Sequence, residues 1–172
     1  MTDVSSTHFA FAAIRSLIDK GIINGRLNGE FDPGTAITRA EFTKMAVLAA
    51  GRIPVTSRTV SFSDIDGHWA KGYIEAAKAA NIVDGYPGGT FRPNAKITRA
   101  EITKVVVKAG NLAIDTSGSG FPDVLANHWA RASILTAAKN RIVRGFPDNT
   151  FRPNNNATRA ESAQVVFNWV YK

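Results

Sequence analysis

The chain has 172 residues and a formal charge of +7, with 21 Lys and Arg against 14 Asp and Glu. It contains no cysteine, which excludes disulfides and thiolate metal sites, and no uninterrupted apolar run of about 18 residues that would span a membrane. The positive balance favours an anionic partner, and because Lys and Arg are spread without a dense run, an acidic polymer fits better than a nucleic acid. The opening Met1-Thr2-Asp3-Val4 has no basic-then-apolar leader, as expected of a cytoplasmic chain or of a mature or trimmed piece. Asp3 already matches Asp123, so the chain starts where a repeat starts.

The repeat is explicit. Thr-Arg-Ala-Glu occurs at 38–41, 98–101 and 158–161, placing Arg39, Arg99 and Arg159 60 residues apart. In chain order each copy begins with a loop acid: Asp3, Asp64 or Asp123. His-aromatic-Ala follows, as His8-Phe9-Ala10, His68-Trp69-Ala70 and His128-Trp129-Ala130. A helical stretch comes next; in copy two Trp69, Tyr73, Ile74, Ala77 and Ala80 form one apolar stripe. The stretch closes on an aliphatic pair and Gly25, Gly85 or Gly145, read as the turn out of the helix with a positive φ. A polar turn such as Tyr86-Pro87-Gly88-Gly89-Thr90 leads to Phe-x-Pro, with Phe31, Phe91 and Phe151 plugging the loop into the core. Thr38, Thr98 and Thr158, each with Glu three residues on, start a second helix by a capping box. Gly51–Ser61 and Gly110–Gly120 are Gly-, Ser-, Thr- and Pro-rich linkers.

The expected fold is all-α: three helix–loop–helix units at 1–56, 57–116 and 117–172, each too small to bury a core alone. They pack about a pseudo-threefold axis or, as the alternative, as a linear solenoid.

Most recurring positions have a folding reason; the arginine fits less easily, because a cation in a helix's first turn opposes the helix dipole. Two readings stand. Arg39, Arg99 and Arg159 pair with a carboxylate such as Asp64 or Asp123, or they join the helix N-terminus in an anion receptor for a carboxylate or phosphate. Trp69 and Trp129 are either core residues or sugar-stacking faces. Tryptophan, a preceding aspartate that accepts sugar hydroxyls, and an arginine that holds charge together suit an acidic sugar. The three histidines belong to helix N-terminal turns, and a metal held by them on the axis is disfavoured. Asp64-x-Asp66-Gly67 lacks the spacing and closing glutamate of a calcium loop. No nucleophile–base pair, phosphate-binding glycine loop or repeated carboxylate pair is present, so the chain reads as a non-enzyme without metal or cofactor.

The ordered set Phe62-Ser63-Asp64 and Phe121-Pro122-Asp123, His-Trp-Ala, aliphatic pair with Gly, Phe-x-Pro and Ile-Thr-Arg-Ala-Glu resembles the S-layer homology family over essentially the whole chain. The resemblance implies a pseudo-trimeric, three-lobed spindle with a central helical bundle. It implies a secreted, cell-surface module that anchors its protein non-covalently to a secondary cell-wall polymer attached to peptidoglycan, with no membrane or nucleic-acid partner. The expected ligand is a pyruvylated N-acetylmannosamine, whose ketal carries a carboxylate, and this piece is expected to be monomeric.

Carried onto this chain, the resemblance implies one inter-module groove with Arg39, Asp64 and Trp69, a second with Arg99, Asp123 and Trp129, and a third with Arg159, Asp3 and Phe9. The assignment of Gly25, Gly85, Gly88 and Gly145 to grooves stays open. Phe9 stands where the family has tryptophan, and Arg26 stands where the other copies have Tyr86 and Phe146. The expectation is therefore two competent grooves and a weak third. Arg39→Ala and Arg99→Ala are expected to weaken polymer binding with little loss of fold. The competing reading is a helical-repeat scaffold that binds a protein; it requires a recurring apolar patch.

Overall fold

The structure is a computed structural model that describes every residue except Ser57 and Thr59. Among the described residues it has six helices: α1 Phe11–Asp19, α2 Arg39–Ala49, α3 Lys71–Ala79, α4 Arg99–Ala109, α5 Arg131–Lys139 and α6 Arg159–Val170. The only extended pairing there is a set of isolated bridges.

Local chemistry starts each helix. At α2, Thr38 Oγ1 accepts the Glu41 N–H at 3.2 Å and Glu41 Oε2 accepts the Thr38 N–H at 2.8 Å, the reciprocal satisfaction of a capping box. The same box opens α4 and α6. The odd-numbered helices start differently: the His68 ring Nδ1 accepts the Ala70 N–H at 3.1 Å, and His8 and His128 repeat the contact. These helices end earlier than the aliphatic pair. The left-handed turn falls at Gly21, Asn81 and Arg141, with φ of 68°, 56° and 59°. Gly25, Gly85 and Gly145 are not left-handed, which corrects their expected role. At Gly85 and Gly145 the need is close approach: a Cβ would stand 2.3 Å from the Phe62 ring or 2.6 Å from the Phe121 ring.

The tertiary arrangement is cyclic. Helices α2, α4 and α6 contact one another as a central bundle, while α3 packs on α2, α5 on α4 and α1 on α6. Each outer helix therefore sits on the central helix of the preceding module, and α1 on α6 closes the ring. This selects the pseudo-threefold arrangement over a solenoid. The central helices can serve both sides because they are apolar on most of their surface; in α4, Ala100, Ile102, Val105, Val106 and Val107 are all buried. By contrast Trp69, expected at the head of the α3 stripe, faces solvent, and Ile74 and Ala77 carry the burial.

Backbone hydrogen bonds lock the ring at its axis. The Ile37 N–H donates to Ala157 O at 3.0 Å, Ile97 to Ile37 O at 3.1 Å, and Ala157 to Ile97 O at 2.9 Å. Each central helix also donates its first two N–H groups into the next module's Phe-x-Pro loop: Arg39 to Ala95 O at 2.9 Å and Ala40 to Pro93 O at 3.0 Å. With the capping box, this satisfies the N–H groups that a helix start leaves unpaired.

Helices α3 and α4 belong to one module yet do not pack closely on each other. A fragment of residues 57–116 is thus expected to lack a core and to show a disordered far-UV circular dichroism spectrum; a cooperative helical melt from it would contradict the ring architecture.

Candidate functional site

Arg39 is the first residue of α2, and its side chain crosses into the next module, where it is only 7% exposed. Nε donates to Phe91 O at 2.9 Å, Nη1 to Glu101 Oε1 at 2.9 Å and Nη2 to Asp84 O at 3.4 Å. Its guanidinium lies 4.7 Å from the Tyr86 ring and 4.6 Å from the Phe91 ring, a cation–π sandwich. Arg99 repeats this on Phe151 O, Glu161 and Arg144 O, between Phe146 and Phe151. Arg159 closes the cycle on Phe31 O and Asn24 O, with Glu41 at 3.6 Å.

The carboxylate that meets each arginine is therefore the next module's capping glutamate, not Asp64 or Asp123. Asp64 has another task. Its Oδ1 accepts the Phe91 N–H and its Oδ2 the Arg92 N–H, both at 2.7 Å. Arg92 is left-handed, with φ of 58°, a conformation disfavoured for a residue with a Cβ, and the aspartate clamps it. Asp123 holds Arg152 and Asp3 holds Asp32 in the same way. The aspartate expected to accept sugar hydroxyls thus has each of its oxygens already accepting one loop N–H. The central helix N-termini likewise have no free N–H for an anion, since those groups are capped by the neighbouring loop.

Three grooves open around the arginines. The Arg39 groove, about 190 Å³, is lined by Asp84, Gly85, Tyr86, Glu101, Lys104 and Trp129 among others. The Arg99 groove, about 730 Å³, brings in Arg144, Gly145, Phe146, Glu161, Gln164 and Phe9. The Arg159 groove, about 300 Å³, has Asn24, Gly25, Arg26, Glu41, Lys44 and Trp69. Each arginine keeps its expected aspartate nearby, linked through the Phe-x-Pro backbone, but the aromatic partners are rotated by one module. Arg39 faces Trp129 rather than Trp69, Arg99 faces Phe9 rather than Trp129, and Arg159 faces Trp69 rather than Phe9. The reason is the outer-helix offset: Trp129 precedes α5, and α5 packs on α4. Each groove is built from three modules, not two.

Gly25, Gly85 and Gly145 line their own modules' grooves, while Gly88, with φ of 89°, shapes the loop turn and lines none of the three. Trp69 and Trp129 are each 58% exposed and Phe9 65%, so they are outward-facing platforms rather than core. His128 stacks beside Trp129 with ring centroids 5.6 Å apart. The two departures of module one fall in different grooves, Phe9 with Arg99 and Arg26 with Arg159. The expected two competent grooves and weak third assumed that both departures fall in one groove, whereas the three grooves each differ in lining.

Sequence reading missed the glutamates as arginine partners and the equivalent positions Lys44, Lys104 and Gln164. The 60-residue spacing that exposed the arginines marks both sets. Lys104 reaches Asp84 at 3.1 Å and lies 5.6 Å from the Trp129 ring. Burial pushes the Arg99 guanidinium below its ordinary pKa, against the opposing pull of Glu161. Burial lowers Arg159 too, and there the charge of Arg26 adds to the effect. Burial raises Tyr86, and its hydrogen bond to Glu101 raises it further. Burial also pushes Asp64 up, but the two backbone N–H donors outweigh it and leave its pKa below the ordinary 3.8. Among the described residues no cluster of three His, Asp or Glu is placed to hold a metal.

Fold and grooves together define a cyclic repeat module whose recurring surfaces are inter-module clefts. The S-layer homology domain model matches residues 1–43, 61–103 and 120–163, and the chain belongs to that family. It is 34% identical over 156 residues, 84% of this chain, to the cellulosome-anchoring protein of Acetivibrio thermocellus. It is 34% identical to S-layer protein EA1 of Bacillus anthracis and to an amylopullulanase of Thermoanaerobacterium thermosulfurigenes, over 95% and 96% of this chain. It spans only 34%, 19% and 9% of those three proteins.

Arg39→Ala removes one partner of a buried ion pair and three hydrogen bonds, so a stability loss is expected beside the weakened binding. It is expected to lower unfolding stability by about 3 kcal/mol, read from urea denaturation, with Arg39→Lys losing part of that because an ammonium lacks the guanidinium fork. The Asp64 clamp predicts a pH dependence. A carboxylate whose folded pKa is depressed contributes stability above its ordinary pKa and loses it as pH falls through the folded value. The urea midpoint should therefore drop below about pH 4, and Asp64→Asn should start lower and show a shallower decline over that range.

Proposed function

We propose that this chain is a non-catalytic anchor that holds its parent protein at the bacterial cell surface by binding an acidic secondary cell-wall polymer in the inter-module grooves. The observation that carries the reading is the recurrence, three times around one axis, of an outward aromatic face opposite a buried arginine–glutamate pair with a groove between them. A flat aromatic face suits the apolar side of a sugar ring. Arg39 donates three hydrogen bonds within the protein and retains one hydrogen on each terminal nitrogen for a ligand oxygen.

Membership of the S-layer homology family and likeness to proteins named for anchoring and for the S-layer support a cell-wall site of action. The amylopullulanase is matched over 9% of its length, so this segment need not carry that protein's catalysis. The ligand we favour is a saccharide bearing a carboxylate, of which pyruvylated N-acetylmannosamine is the leading example. The excess of Lys and Arg complements such a polymer. Three grooves on one module also let several polymer units engage at once, so avidity exceeds the affinity of each groove. We take the module to act as a monomer, because ring closure is internal.

The chain is expected to co-sediment with purified sacculi from a pyruvylating Gram-positive species and to lose most of that retention once the polymer is stripped or its pyruvate removed. Undiminished sedimentation with stripped sacculi would overturn the reading.

A further inference from the structure

The three grooves share one backbone plan but not one charge. In the Arg39 groove two cations, Arg39 and Lys104, face two carboxylates, Asp84 and Glu101. Lys104 is bonded to Asp84, which Lys108 also contacts at 2.9 Å. In the Arg99 groove Gln164 replaces the lysine and Phe9 the indole, leaving Arg99 and Arg144 against Glu161. In the Arg159 groove three cations, Arg26, Lys44 and Arg159, face the single carboxylate Glu41. Asn24, neutral, stands at the Asp84 position, so Lys44 has no carboxylate partner among the described residues.

Glu41 does not cancel this charge toward a ligand. It is held by Arg26 at 3.2 Å on one side and lies 3.6 Å from Arg159 on the other, and its remaining oxygen accepts from Thr38. Arg26 has a second partner in Asp32 at 3.1 Å, but Asp32 lies outside the groove lining. The Lys44 ammonium, 5.9 Å from the Tyr73 ring centroid, lines this groove together with the exposed Trp69 indole.

We propose that the Arg159 groove is the primary seat of the acidic sugar, with Lys44 as the counter-charge to its carboxylate and Trp69 as the stacking face, and that the lysine and the residue at the 24/84/144 position set which groove accepts charge. This rests on the glycan-binding reading above and deepens it. Among the described residues two features combine in this groove alone: a lysine without a carboxylate partner and an indole. The Arg39 groove has the indole, but its lysine is neutralised; the Arg99 groove has neither lysine nor indole. The arginines, buried on glutamate in all three, do not distinguish the grooves.

The test follows the indole ¹H–¹⁵N resonances, assigned by Trp69→Phe and Trp129→Phe, during titration with the methyl glycoside of pyruvylated N-acetylmannosamine and with the same sugar lacking pyruvate. The Trp69 resonance is expected to saturate at a several-fold lower concentration of the acidic sugar than Trp129, with the preference lost for the neutral sugar. Lys44→Gln, at a half-buried surface position, and Asn24→Asp should each weaken the Trp69 response about tenfold, whereas Asp84→Asn should strengthen that of Trp129. Saturation of Trp129 first, or no effect of Lys44→Gln, overturns the groove assignment while wall binding stands. If no indole responds and sacculus retention also survives pyruvate removal, the assignment and the acidic-glycan reading fail together.

Discussion

The guanidinium that crosses from one module to the next is the constraint around which this molecule is arranged. Arg39 enters between Tyr86 and Phe91, bonds the loop carbonyls and ends on Glu101. Glu101 at the same time caps the helix of the second module through Thr98. One carboxylate therefore ties helix initiation to module docking. The placement of a cation in the first turn of a helix, unfavourable against the dipole, is offset by pulling the charge out of its own helix and onto the neighbour's glutamate. Removing one end leaves a buried charge without its partner, which is why such pairs are costly to break even where their net contribution is modest.

Ring closure follows from the same logic. Each central helix presents its N-terminus to the following module's Phe-x-Pro loop, and each outer helix leans back on the preceding central helix. Modules thereby share their cores, so a module in the chain is not a lobe in space. The grooves inherit this sharing: an arginine from one module, a loop and glutamate from the next, and an aromatic from the third. A groove of this kind exists only when the ring is complete.

The symmetry of the backbone is also what lets the grooves diverge. Substitution at the 24/84/144, 26/86/146 and 44/104/164 positions changes the charge lining a groove without disturbing the axis, where Ile37, Ile97 and Ala157 are fully buried and hydrogen-bonded in a cycle. The large Arg99 groove follows the same rule: Phe9 takes the place of a tryptophan, and Gly34 that of an asparagine.

Sequence alone determined the repeat, its 60-residue period, the all-helical class, the capping boxes and the core phenylalanines, because these depend on local periodicity and on side chains acting within a few residues of themselves. It also marked the arginine and the outward aromatic as residues of interest. Only the tertiary structure decided what they face. Asp64 clamps a left-handed backbone residue 28 positions away, Arg39 pairs with a glutamate 62 positions on, and Trp129 rather than Trp69 lies across from Arg39. Those partnerships arise from the one-module offset of the outer helices. That offset is set by how apolar faces match across the ring, and no spacing along a single chain encodes it.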